Sequence, residues 1–295
     1  MATIDLHLHS NYSSDGEFSP TELVALCLQS GLTYAAIADH NSVRAVAEAL
    51  QAADGTSLSI IPAIEMDVCF GDLVLHLLGY GINHHAAIFS EIEQDVRRQE
   101  QESSVVLMHL VHQLGFDFDD DFVGRLAVDG VVTGEMMAEA ALHFDSQGKN
   151  PLLNPYRNGG NRSDNPYANF YWDYCAKGKP AHVPIDYVTL GEGIEIIRAN
   201  HGVPVLAHPG QQVKENAQRM ERLIKEGLDG LEVYSSYHNR EQISFYKQAA
   251  REHDLLLTCG SDFHGKTKPG ILIGGTDCEE QEIIIIEKLL EKISQ

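Results

Sequence analysis

The chain has 295 residues, 43% of them hydrophobic, enough to bury one large core or two smaller ones. Its 43 acidic residues outnumber 21 basic ones, a formal net charge of −22, which argues against non-specific attraction to long nucleic acid or acidic membranes. No apolar run approaches the roughly eighteen residues of a membrane span, and "MATIDLHLHS" lacks the basic-then-apolar order of a secretory leader. Five scattered cysteines, none spaced C-x-x-C, read as reduced thiols of a cytoplasmic protein.

Seven apolar runs read as strands: Thr3–His7, Tyr34–Ala38, Ser59–Ile64, Leu73–Leu78, Val203–Ala207, Gly230–Val233 and Leu255–Cys259. Helical patterns fall between most of them. Ser19 offers an N-cap ahead of Pro20, and that helix closes at Gly31; others are expected over Asn41–Ala53, Glu215–Glu226 and Asn239–His253. Strand alternating with helix predicts parallel βα units, and the number of units predicts closure into a barrel. From Asn83 to Pro184 the rhythm breaks. A long helix near Glu91–Leu114 comes first, then an acidic turn, a short helix over Gly134–Phe144, and a stretch dense in Asn, Pro, Gly and aromatics. The expected organisation is a barrel from 1–82 and 185–295, with 83–184 as a small, mainly helical insertion covering it.

Ionisable groups recur at one end of the strands. In the first, Asp5, His7 and His9 share the face opposite Ile4, Leu6 and Leu8. Such groups are costly to bury unpartnered, and a divalent ion is a partner that suits imidazole and carboxylate. Asp39-His40 ends the second run and Glu65 the third; His76 lies in the fourth; His208 ends the fifth; Asp262 and His264 follow the seventh. In a parallel barrel that end is where functional groups converge. Asp15, in a Ser-Asp-Gly turn, joins the set by its spacing from His9, and His238 follows the sixth run. The mixed donors suit Mn, Fe or Zn.

The order D-x-H-x-H-S, D-G, A-x-x-D-H, strand-ending Glu, later His, A-H-P-G and G-S-D-F-H-G resembles the PHP (polymerase and histidinol phosphatase) family, over residues 1–80 and 203–275. The resemblance implies an α/β fold, a distorted (β/α)7 barrel holding two or three divalent ions. Carried over by motif, one ion would be held by His7, His9, Glu65 and Asp262. A second would share Glu65 and add His76 and His208, and a third would use Asp15, His40 and His264. Some family members have histidine where Asp15 stands. The stretch Asn154–Val183 is similar to a subgroup with cyclic phosphate dihydrolases acting on 5-phosphoribosyl 1,2-cyclic phosphate. Related proteins act as 3′,5′-nucleoside bisphosphate phosphatases or short-RNA 5′-3′ exonucleases, often with an arginine where this chain has "VVTGEMM".

The expected chemistry is phosphate ester hydrolysis by a hydroxide bridging the ions that share Glu65, as two-metal sites do. Asp39, His238 and His264 are candidates to assist the leaving group. Arg157, Arg162, Lys177 and Lys179 are candidates for the substrate's other phosphates, since guanidinium forks match phosphate geometry. The first expectation is a small cyclic phosphodiester, the alternative a nucleoside bisphosphate or short RNA. An amidohydrolase is disfavoured because no strand-end lysine is present to form a bridging carbamate. A non-catalytic scaffold is disfavoured because nine ligands for three ions leave open positions. The sequence leaves the oligomeric state undetermined.

Overall fold

The computed structural model describes residues 3–276, 278 and 282–295. Its strands are β1 (Ile4–Leu8), β2 (Tyr34–Ile37), β3 (Ser59–Ile60), β4 (Ala63–Phe70), β5 (Leu73–Tyr80), β6 (Val203–Leu206), β7 (Gly230–Ser235) and β8 (Leu256–Gly260). A parallel sheet β1-β2-β3 and a five-stranded sheet in the order β4-β5-β6-β7-β8 meet at two seams. At one, Leu8 bridges Phe263 and Asp262 N donates to His7 O at 2.8 Å; at the other, His40 bridges Glu65. The result is a distorted α/β barrel.

One departure from the expected parallel pattern matters for the site. The run Ser59–Ile64 divides at Ile61-Pro62, where proline cannot donate to a ladder, into β3 and a longer β4. β4 then pairs antiparallel with β5 from Ala63↔Tyr80 to Phe70↔Leu73, and β5 is antiparallel to β6. Gly71, at φ 60°, turns this hairpin in a conformation that costs glycine least. Glu65 therefore lies inside a strand rather than ending one.

The helices are α1 (Pro20–Gln29), α2 (Arg44–Ala53), α3 (Ala87–Gln113), α4 (Asp120–Leu126), α5 (Gly134–Phe144), α6 (Pro166–Tyr174), α7 (Leu190–Ala199), α8 (Pro209–Gln212), α9 (Ala217–Ile224), α10 (Arg240–Glu252) and α11 (Glu282–Ile293). α1 opens with the expected cap: Ser19 Oγ accepts from Glu22 N while the Glu22 carboxylate accepts from Ser19 N, with Pro20 first in the helix. α4, α6, α7, α8 and α11 have no counterpart among the sequence expectations. The first turns of α3 set Ile88, Phe89 and Ile92 against the barrel core. At its far end Val111 joins Phe116, Val123, Met137, Leu153 and Phe170 in a separate apolar cluster. That second cluster lies wholly within 83–184. Among the described residues no helix is long and apolar enough to cross a membrane.

Candidate metal centre

The strands bring their imidazoles and carboxylates to one point, with the Glu65 carboxylate at its middle. Glu65 Oε2 lies 3.2 Å from His7 Nε2, 3.1 Å from His9 Nε2 and 3.2 Å from His40 Nδ1. Glu65 Oε1 lies 3.0 Å from His76 Nδ1 and 3.2 Å from His208 Nε2. Asp262 Oδ1 is 3.0 Å from His9 Nε2 and 3.5 Å from His7 Nε2. His264 stacks on His9 with ring centroids 3.9 Å apart; its Nδ1 donates to the Asp262 carbonyl at 2.8 Å, and its Nε2 faces Asp15 Oδ2 at 3.2 Å. All nine residues expected as ligands meet here. Three of them or their neighbours hold left-handed backbone, Asn41 at φ 53°, His208 at 23° and Asp262 at 60°, strain that packing must over-determine.

The donors fit divalent ions. Ligand atoms of His7, His9, Glu65 and Asp262 lie within 4.8 Å of one another, as do those of Glu65, His76 and His208, and those of His9, His40 and His264. Asp15 Oδ1, His40 Nδ1, Glu65 Oε2, His208 Nδ1 and His264 Nε2 are buried without a hydrogen-bond partner. Buried polar atoms are normally satisfied, so such a concentration calls for a cation. Burial opposes charge on each group, and neighbours decide the outcome. His7, His76 and His40 hold Glu65 well below the usual carboxylate range, and Lys268, His264 and His7 do the same for Asp262. Against burial, the neighbouring carboxylates of Asp262 and Glu65 push His9 up to about 9, whereas burial pushes His40 well down.

Asp39 and His238 stand apart from this meeting point. Asp39 accepts from Ser10 N and Ser13 Oγ, both at 2.7 Å, and from Ser10 Oγ at 2.6 Å. With its proton given to Asp39, Ser13 Oγ takes the Nδ1–H of His9 at 3.0 Å, so Asp39 positions a ligand and has no free oxygen to assist a leaving group. His238 is locked the same way: Nδ1 donates to Val233 O at 2.9 Å and Nε2 accepts from Gly210 N at 2.9 Å. Asp5 shares the face of His7 and His9 but clips a loop, accepting from Ser261 N and Gly274 N; burial pushes it up to about 6.

The four expected phosphate-binding cations lie within 83–184 and make no ion pair or hydrogen bond with the cluster among the described residues. Arg157 pairs with Asp145 at 2.9 Å, and Arg162 forks onto Asp173 at 2.8 and 3.0 Å. Lys177 and Lys179 are exposed. The cation at the centre is Lys268, whose Nζ lies 2.6 Å from Asp262 Oδ2, an oxygen that also accepts from Tyr237 OH.

Sequence reasoning missed Asp67, Glu232, Lys268 and Tyr237, and the glutamates Glu100 and Glu135 from helices α3 and α5. Asp67 Oδ1 lies 3.3 Å from His76 Nε2 and 3.7 Å from His40 Nδ1 while Asn41 Nδ2 donates to its other oxygen at 2.8 Å. Its signal was in the sequence: two residues after Glu65, it must share that face. His40 shares a small cavity with Glu93, Arg97 and Glu100 of α3, and Asp15 shares another with Glu135 and Glu139 of α5. Burial, then the charge of Asp67, pushes Glu100 up to about 8; burial, then Asp15, pushes Glu135 up to about 7. Neither had a local signal.

The PHP domain family profile matches residues 5–174, more than half of the chain. The chain belongs to the PHP domain family. This PHP chain is 26% identical to a 3′,5′-nucleoside bisphosphate phosphatase of Chromobacterium violaceum, over 94% of its own length and 92% of the relative's. It is 23% identical to a phosphoribosyl 1,2-cyclic phosphate 1,2-diphosphodiesterase of Eggerthella lenta, over 89% and 94%. A solved structure described as a metal-dependent phosphoesterase of Bifidobacterium adolescentis superposes with a TM-score of 0.74 at 24% identity, covering 98% of this chain and 96% of that one, which bears on the fold alone.

Proposed function

We propose that this PHP chain hydrolyses phosphate esters of small phosphorylated metabolites at a centre of divalent ions, with residues 83–184 as its cap. The observation that carries the reading is the meeting of imidazoles and carboxylates from six strands around Glu65, with buried ligand atoms that lack a hydrogen-bond partner. His7, His9, Glu65 and Asp262 would hold one ion, Glu65, His76 and His208 a second, and Asp15, His40 and His264 a third. Bound there, Mn, Fe or Zn supplies Lewis acidity at the phosphoryl oxygens and a water acidic enough to attack near neutral pH. The protein's own part is to orient. Ser13 turns His9 Nε2 inward, and Lys268 with Tyr237 holds the outer oxygen of Asp262 so that Oδ1 faces the histidines. The cap, closing over His40 and Asp15 from α3 and α5, limits water and substrate size.

For the substrate, a nucleoside 3′,5′-bisphosphate now stands ahead of the cyclic phosphodiester. The arginines that favoured the cyclic ester are engaged by Asp145 and Asp173, and the bisphosphate phosphatase relative matches this chain at higher identity. The cyclic ester keeps one observation in its favour: "VVTGEMM" brings Glu135, a carboxylate, to the cavity beside Asp15. Phosphate release by manganese-loaded protein from adenosine 3′,5′-bisphosphate and from 5-phosphoribosyl 1,2-cyclic phosphate, side by side, tests the order. Faster release from the bisphosphate is expected; the reverse restores the cyclic reading, and release from neither removes both.

A further inference from the structure

We propose that Glu232 is a positioning residue that orients two ligands of the centre at once. It is the third residue of β7, and its side chain is wholly buried inside the barrel. Its Oε1 lies 3.0 Å from His7 Nδ1, and its Oε2 accepts the backbone N–H of His208 at 2.8 Å. His7 stands on β1 and His208 just beyond β6, so one carboxylate spans four neighbouring strands. Gly260 on β8 makes the room. A Cβ at that position would stand 2.2 Å from His7 Cβ and 2.5 Å from Glu232 Oε1, so any side chain there would force these neighbours to shift.

Each contact has a chemical consequence. An ionised carboxylate only accepts, so His7 donates from Nδ1 and keeps the lone pair of Nε2 for the side where Glu65 Oε2 and Asp262 Oδ1 lie, at 3.2 and 3.5 Å. The second oxygen ties down His208 at φ 23°, a backbone conformation unfavourable for any residue but glycine, and so aims its Nε2 at Glu65 Oε1. Glu232 belongs to no ligand set, yet it holds one ligand from each of two ion positions. Partners of this kind fix ring orientation and raise ligand basicity. The inference rests on the metal-centre reading above.

Glu232→Gln keeps the volume and removes the charge. Purified variant is expected to retain fewer equivalents of zinc than wild type by elemental analysis. Chelator competition should show its affinity weakened roughly 10–100-fold. The far-ultraviolet circular dichroism of the metal-free form should be unchanged. Wild-type zinc affinity in the variant overturns the proposal. If the variant does not fold, zinc-loaded wild type decides: long-range 1H–15N correlations should find the His7 proton on Nδ1 and the metal on Nε2, and the opposite assignment overturns it. Full zinc loading without hydrolysis of either ester would remove the phosphoesterase reading and leave the role of Glu232 standing. Wild type that takes up no zinc removes both.

Discussion

Asp262 divides its two oxygens between different neighbours. Oδ1 faces His7 and His9, while Oδ2 takes Lys268 and Tyr237. Asp262→Asn keeps the shape but loses the charge, and phosphate release should fall by more than the roughly 10–100-fold that outer partners cost, with metal equivalents falling in parallel. An active, fully loaded variant would sink the ligand assignment. Because the carboxylates push His9 up to about 9, protons and metal ions compete for its Nε2 in the metal-free protein. Affinity for zinc should therefore climb as pH rises from 6 towards about 9, and titrations at three pH values would show it. The meeting of the proposed ligands was legible from sequence through two regularities, alternation along a strand and recurrence from one strand to the next, although Glu65 and His76 lie inside strands rather than at their ends. Asp67 obeyed the first regularity and was passed over. Glu232 was hidden because a lone carboxylate in "GLEVYS" looks no different from a salt-bridged one until His7 and Gly260 arrive from other strands.

At the level of elements, the βα rhythm was readable and the β4–β5 hairpin was not. A short apolar run carries no mark of its direction, and only pairing shows that Leu73–Tyr80 runs against both neighbours. The reversal puts His76 and Asp67 opposite each other across the hairpin, so this part of the site is built from strand middles. On the other side, β8 approaches β1 at Gly260. Gly260→Ala should cost about 1–3 kcal/mol, as overpacking does, and should weaken zinc retention, because the added methyl meets both His7 and Glu232. Thermal melting with and without zinc measures the two effects separately. An alanine variant as stable and as zinc-retentive as wild type would show the barrel relaxes there freely.

At the scale of the molecule, acidity and the segment 83–184 act together. Glu100 reaches the cluster from α3, and its carboxyl is pushed from 4.5 up to about 8 by burial and then by Asp67. Between those values the folded chain keeps a proton that the unfolded chain releases, so this group lowers stability as pH rises through that window. In chelator-treated protein, Glu100→Gln should flatten the decline of Tm from pH 5 to 8; an unchanged slope would show that Glu100 keeps its charge. Residues 83–184 were the least legible part of the chain, because the cavities that Glu93, Glu100 and Glu135 share with His40 and Asp15 arise only from packing between distant segments. The antiparallel β5 leads into them. That strand leaves the barrel beside the start of β6, where Asn83 N meets Asn200 O at 2.8 Å, and α3 then carries the chain onward. The 27 residues of α3 span about 40 Å, from Phe89 against the barrel core, past Arg97 and Glu100 beside His40, to Val111 in the cap cluster. One helix thus acts as a calibrated mast. Inserting a single residue into its lower turns would swing everything above by roughly 100° and lift it about 1.5 Å. The histidines and carboxylates around Glu65 would stay where they are, while Glu100 and Arg97 would rotate away from His40.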